Sequence, residues 1–245
     1  MKIGTDTEPR HWHDQLDAAS GNRLNALRAA VLGANDGIVS TAGIVMGVAG
    51  ATSDRSALLI AGVAGLVAGA MSMGTGEYVS VSTQRDSERS ILRFEAAELA
   101  AMPETEQREL ARMYEAKGLD TDLAAQVAAQ LTQHDALAAH ADIEFGIDPD
   151  ALTNPWHAAW ASMISFTLGA LLPLFCVLLV PAGARIAVTV LAVAVALALT
   201  GFISARLSLS PRLRAIARNV LGGMLAMGVT YAIGSFVGSF IGGIA

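Results

Sequence analysis

Asp36 sits in the run GANDGIVSTAGIVMG (33–47), where every other residue is apolar, small or neutral. A carboxylate at membrane depth is costly unless it is paired or wetted, and acids placed there mark ion or proton paths. Met73 and Glu77, in AMSMGTGEYVS (70–80), add a thioether and a second carboxylate. Sulfur beside oxygen is a softer ligand set than calcium or magnesium prefers, and it suits a transition metal. Asp36 lies about 12 Å along a helix from Arg28. A second helix returning toward the same interface brings Met73 and Glu77 back to that level. The three side chains are therefore expected to line one inward-opening cavity. Each also has a plainer role: Asp36 capping a broken helix near Asn35 and Gly37, Met73 filling a packing gap, Glu77 resting among headgroups.

A second constellation lies further along. Glu95-Ala-Ala-Glu98 and Glu106-Gln-Arg-Glu109 repeat an E-x-x-E spacing, and residues three apart share a helix face. Like charges so placed repel unless a cation joins them. His140 and Glu144, four apart, add a nitrogen and an oxygen. Oxygen ligands with one imidazole fit Fe²⁺, Mn²⁺ or Co²⁺, with Mg²⁺ or Ca²⁺ as alternatives. The competing reading is an ordinary solvated helix face. His134 and His157 read as surface or interfacial, and His11 and His13 as bystanders.

The elements that must position these groups are membrane helices. The chain is 53% hydrophobic with 16% charged residues and a mean hydropathy of +0.48. Five segments are long enough to cross a hydrocarbon core: about Ala29–Ala51, Ser56–Gly76, Pro155–Ala184, Ile186–Ala205 and Asn219–Ala245. Their continuous apolarity favours helices over barrel strands, which alternate. The expected fold is an all-α membrane protein of five transmembrane helices, with an acidic three-helix cytoplasmic domain inserted between helices two and three. The segments are 1–28 (cytoplasmic N-terminal), 29–83 (helices one and two), 84–153 (helical metal-binding insert) and 154–245 (helices three to five).

Between Gln84 and Thr153 stand fifteen carboxylates against six basic residues. That is a net −9, which leaves +3 on the rest and accounts for the overall −6. An acidic insert excludes nucleic acid as a partner. The second span should continue unbroken to about Ala101. Pro103 opens the next helix, Gly118 ends it, and Asp120 caps a third helix running to Phe145 and ending at Gly146. Lys2, Arg10, Arg23 and Arg28, with Arg206, Arg212, Arg214 and Arg218, put the N-terminus, the insert and the four–five connection in the cytoplasm. The other two connections hold Arg55 and Arg185. The polar start lacks an apolar core, so no cleaved signal is expected, and the lone Cys176 allows no intrachain disulfide. Gly33/Gly37, Gly43/Gly47, Gly65/Gly69 and Gly234/Gly238/Gly242 allow close helix packing and would also suit a dimer. Pro173 is expected to kink the third span.

GANDGIVSTAGIVMGVAGA, AGLVAGAMSMGTGEYVSVSTQRDSE, the acidic insert and TLGALLPL together resemble the vacuolar iron transporter family, from about Asn25 to the end. The resemblance implies a five-helix homodimer that exports Fe²⁺, and often Mn²⁺, from the cytoplasm in exchange for protons. Co²⁺ and Zn²⁺ are further candidate substrates, and no prosthetic group is implied. It places translocation residues at Asp36 and Met73, with Glu77 close by. It places insert ligands at Glu95, Glu98, Glu106, Glu109 and Glu144. Some relatives carry methionines shortly before that last glutamate, where this chain has His140 and Ala141. The membrane is a bacterial inner membrane or a vacuolar-type one, with lipid as the surrounding partner. The rivals are a membrane-anchored metal buffer or sensor, and a di-iron ferroxidase. The second usually needs Glu-x-x-His on two helices, and the insert contains none.

Overall fold

The computed structural model describes residues 20–208 and 210–242. Lys2, Arg10, His11, His13, the side chain of Arg23 and the last residues of the fifth predicted span lie outside the described residues. Among the described residues seven α-helices follow one another: α1 (Ser20–Ala51), α2 (Arg55–Ala101), α3 (Pro103–Ala116), α4 (Thr121–His140), α5 (Pro155–Leu179), α6 (Ala182–Leu207) and α7 (Arg212–Gly242). A single π-helical turn, Ala141–Phe145, continues α4. No strand occurs among the described residues. By length and composition, α1, α2, α5, α6 and α7 can each cross a membrane. The contacts divide the chain into two units, Met1–Tyr78 with Pro155–Ala245, and Val79–Asn154.

In the first unit α1 is the central element, packed against α5, α6 and α7. Glycine makes this possible by letting backbones meet. Gly33 and Gly37 lie against the backbone at Ser162 and Phe166, Gly169 against Ala34, Gly50 against Tyr231, and Gly234 against Gly47. These close approaches are made within one chain. The first part of α2 docks differently: Gly62, Gly65 and Gly69 face the side chains of Leu174, Ile44 and Phe166. Ile38, Ala42 and Met46 join Val193, Leu197 and Met227 in the α1–α6–α7 core. Val45, Leu58 and Val177 bind α1 to α2 and α5.

The division between the third and fourth spans differs from the sequence reading. The third and fourth spans part at Val180–Pro181, not at Ala184–Ile186. Pro181 has no N–H to continue α5, and its φ of −58° suits the start of a new helix instead. Arg185 therefore lies inside α6, 8% exposed, and donates to the Ser53 carbonyl at 3.4 Å. Arg55 donates to the Val177 carbonyl at 3.2 Å and to that of Leu178, serving two of the acceptors that the end of α5 leaves open.

The second unit is built on local signals. Pro103 is at the start of α3, with Glu104 and Glu106 in its positive first turn. Gly118 follows α3 at φ 105°, where a side chain would be strained. Asp120 caps α4, accepting from the Leu123 N–H at 3.0 Å. Leu110, Ala124, Ala128 and Ala141 form its buried centre. The third predicted helix of the insert is not uniform. Asp135 leaves the helical region (φ −160°, ψ 97°), and its carboxylate accepts from the Ala138 N–H at 2.9 Å, so it restarts the helix as an internal cap.

Candidate metal sites

In the second unit, Glu95 on α2, His140 at the end of α4 and Glu144 on the π-turn bring one ligand atom each to within 4.8 Å of one another. Glu95 is 4% exposed and His140 wholly buried. Their closest atoms, Glu95 Oε1 and His140 Nδ1, are 3.0 Å apart. They are not aligned as a hydrogen bond: neither imidazole nitrogen nor that carboxylate oxygen has a hydrogen-bond partner. Buried polar atoms without partners are rare and call for an explanation. Donor atoms crowded together yet aimed past one another are what ligands of a shared cation require.

The electrostatics agree. Burial, and then the negative charges of Glu144, Glu106, Glu98 and Glu109, push the Glu95 carboxyl up from 4.5 to about 7. Glu144 is also raised, by burial first and then by Glu109, Glu106 and Glu98, with His140 opposing. Glu106 is buried at 6% exposure, and Glu98 and Glu109 are half-buried. All five glutamates singled out in the sequence thus interact around one place. Glu95 and Glu98 reach it from α2, Glu106 and Glu109 from α3. A divalent ion there would relieve the repulsion and meet oxygen with one nitrogen, a borderline donor set.

The first unit holds the other constellation. Asp36 and Met73 line one cavity of about 310 Å³, between α1, the first part of α2 and the start of α7. Met73 also packs against the cluster of Ala70, Phe166 and Ala170, so the packing role and the cavity role coexist. Glu77 is not among the cavity's lining residues. It pairs with Arg28 at 3.7 Å. Three polar residues not anticipated in the sequence line the cavity: Asn35 from α1, and Arg218 and Asn219 from α7. A break in α1 near Asp36 is absent, since the helix runs unbroken from Ser20 to Ala51. Ser40 Oγ donates to the Asp36 carbonyl oxygen at 2.6 Å, leaving the carboxylate uninvolved in that bond. His134 and His157 join neither group.

The VIT family model matches residues 27–235, nearly all of the described chain. The chain belongs to the VIT family. It is 37% identical over 234 residues to "Vacuolar iron transporter homolog 5" of Oryza sativa subsp. japonica, covering 95% of this chain and 89% of that one. It is 38% identical over 213 residues to "Vacuolar iron transporter" of Acanthamoeba castellanii, covering 85% and 77%. It is 34% identical over 218 residues to "VIT-like transporter 1b" of Glycine max, covering 89% and 78%.

Within this VIT family chain, the residues missed in the sequence have a common cause. Asn219 and Arg218 are far from Asp36 in the chain and reach its cavity only because α7 packs on α1. Asn35 was in view as Asp36's neighbour, but a helical neighbour usually points elsewhere.

Proposed function

We propose that this VIT family chain carries a divalent transition metal, Fe²⁺ first and Mn²⁺ among other substrates, across a membrane in exchange for protons. The observation that carries the reading is the cavity shared by Asp36 and Met73 inside a bundle of apolar helices. A carboxylate in such a place is kept for an ion, and a thioether beside it selects a transition metal. Relatives whose names include iron transport support Fe²⁺ as the substrate. Asp36 then binds metal or proton in turn, and Met73 contributes affinity for the softer ion. This is secondary active transport with no chemical conversion of the substrate.

The unit Val79–Asn154 serves as the acidic metal-binding domain inserted between the second and third spans. Glu95, His140 and Glu144 are its first ligands, with Glu98, Glu106 and Glu109 in support. Arg28, Arg206, Arg212, Arg214 and Arg218 support a cytoplasmic location for the corresponding ends of the helices, by the positive-inside rule. The direction is export from the cytoplasm, and the working form is a homodimer. Fe²⁺ flux into proteoliposomes under a proton gradient tests this. Asp36→Ala should abolish the flux while the protein still inserts and melts normally. Unchanged flux would remove the proposal.

A further inference from the structure

Arg206 and Arg212 meet over one aromatic ring. Their guanidinium carbons lie 5.6 Å and 5.8 Å from the centroid of Phe202, so the two charges are no more than about 11 Å apart. Arg206 is in the last turn of α6, and Arg212 is the first residue of α7. Both helices are long and apolar enough to cross a membrane, so the pair stands where two spans end. Like charges held together repel unless an anion joins them. The ion pairs among the described residues are Arg28–Glu77 and His140–Glu95, so neither arginine has one. The first unit has little to offer. The chain carries no Asp or Glu after Asp150. Of the described carboxylates of that unit, Asp36 lines the cavity, Asp54 accepts from the N–H groups of Ser56 and Ala57, and Glu77 is held by Arg28. The unmatched charge is also open to the surroundings. Both arginines are exposed, and so are Phe202, Ile203, Leu207 and Leu213, the last at 83%. Because α7 starts at Arg212, it adds the positive end of its dipole at the same place.

We propose that Arg206, Arg212 and the start of α7 bind the headgroup of an anionic phospholipid, with Ile203, Leu207 and Leu213 against its acyl chains. A phosphate diester accepts two parallel bonds from a guanidinium, and one set between the arginines removes their repulsion. Phe202 is what makes this a site rather than a smear of positive charge. Its ring face attracts both guanidinium groups and holds them to one place before the lipid arrives. A soluble anion would satisfy the charges and leave the exposed leucines uncovered; a phospholipid meets both. The inference stands apart from the transport reading, since it holds whichever ion the chain carries.

Titration of the full-length protein in detergent with phosphatidylglycerol, read by native mass spectrometry, tests it, with phosphatidylcholine as the neutral comparison. Arg206→Gln and Arg212→Gln should each raise the apparent Kd for phosphatidylglycerol roughly fivefold, the worth of one arginine at a charged membrane surface. Phe202→Leu keeps every charge and the apolar bulk, and should still raise it about twofold or more. Arg214→Gln removes the same charge two residues away and should leave the Kd within about twofold of wild type, a smaller change than either member of the pair gives. Inorganic phosphate should not displace the lipid. The proposal is overturned if phosphatidylcholine binds as well as phosphatidylglycerol, if the Arg206→Gln/Arg212→Gln double variant keeps the wild-type Kd, or if Arg214→Gln weakens binding as much as Arg206→Gln. Displacement by inorganic phosphate would overturn it too, leaving a simple anion pocket. Should the double variant not insert, the two single variants decide on the same terms.

Discussion

Replacing Glu95 by glutamine should make the metal-free protein more stable and a worse metal binder, and only at high pH. Glu95 is buried among four other glutamates, and its carboxyl rises from 4.5 to about 7. A carboxyl with a raised folded-state pKa holds its proton more tightly folded than unfolded. Below about pH 4.5 both states are protonated and the group costs nothing. As pH climbs through the window from 4.5 to 7, the unfolded chain releases its proton first and the fold loses stability. By pH 8 the full difference is expressed, about 3 kcal/mol. Glu95→Gln carries no charge to bury, so in chelator it should exceed wild type by up to about 3 kcal/mol at pH 8, by about 1 kcal/mol at pH 5, and match it below about pH 4. Proton competition also sets the metal affinity. Wild-type binding should weaken roughly a hundredfold between pH 8 and pH 5 from this group alone, and the variant should lack that part of the dependence. Hydrogen exchange of amides in the Val79–Asn154 unit, at several pH values, reads the stability. Titration of the full-length protein with Mn²⁺ reads the affinity. A variant less stable than wild type at pH 8 without metal, or a stability difference that does not shrink toward pH 5, would refute the electrostatic account.

Gly37→Ala should disrupt the α1–α5 contact, because a Cβ there collides with the Phe166 backbone, which cannot step aside as a side chain would; overpacking of this kind costs about 1–3 kcal/mol and should appear as a lower melting temperature in detergent. Asp120→Ala removes the cap on α4 and should cost about 1 kcal/mol, with faster amide exchange at Leu123 and no change in Fe²⁺ flux at saturating metal.

The parts legible in the sequence were those that local chemistry decides. Pro103, Gly118, Asp120 and Gly146 each announce a helix start or stop through a backbone constraint of their own, and all four occupy the positions expected. Uninterrupted apolar runs sufficed for five membrane-length helices. Long-range geometry was not legible. Asp135 is one of the fifteen carboxylates of the insert and no local motif marks it, yet it interrupts α4, and a π-turn follows that carries Glu144 toward Glu95. Nothing in Asp36's neighbourhood names Asn219 as a facing residue, because α7 arrives from the far end of the chain. Glu77 shows the opposite failure. A helix returning to the level of Asp36 was expected to bring it into the same cavity, but it pairs with Arg28 and does not line that cavity.

The glycine contacts divide the first unit into what can slide and what cannot. Where α1 meets α5 and α7, main chain touches main chain, and any shift along the axis would drive a carbonyl into a neighbouring Cα. Where α2 meets α1 and α5, the touching atoms belong to Ile44, Leu174 and Phe166, which can change rotamer and let the partner pass. Asp36 is therefore mounted on a fixed frame, and Met73 on a movable rail. The distance between the acid and the sulfur is therefore a dimension of that chamber the packing leaves adjustable.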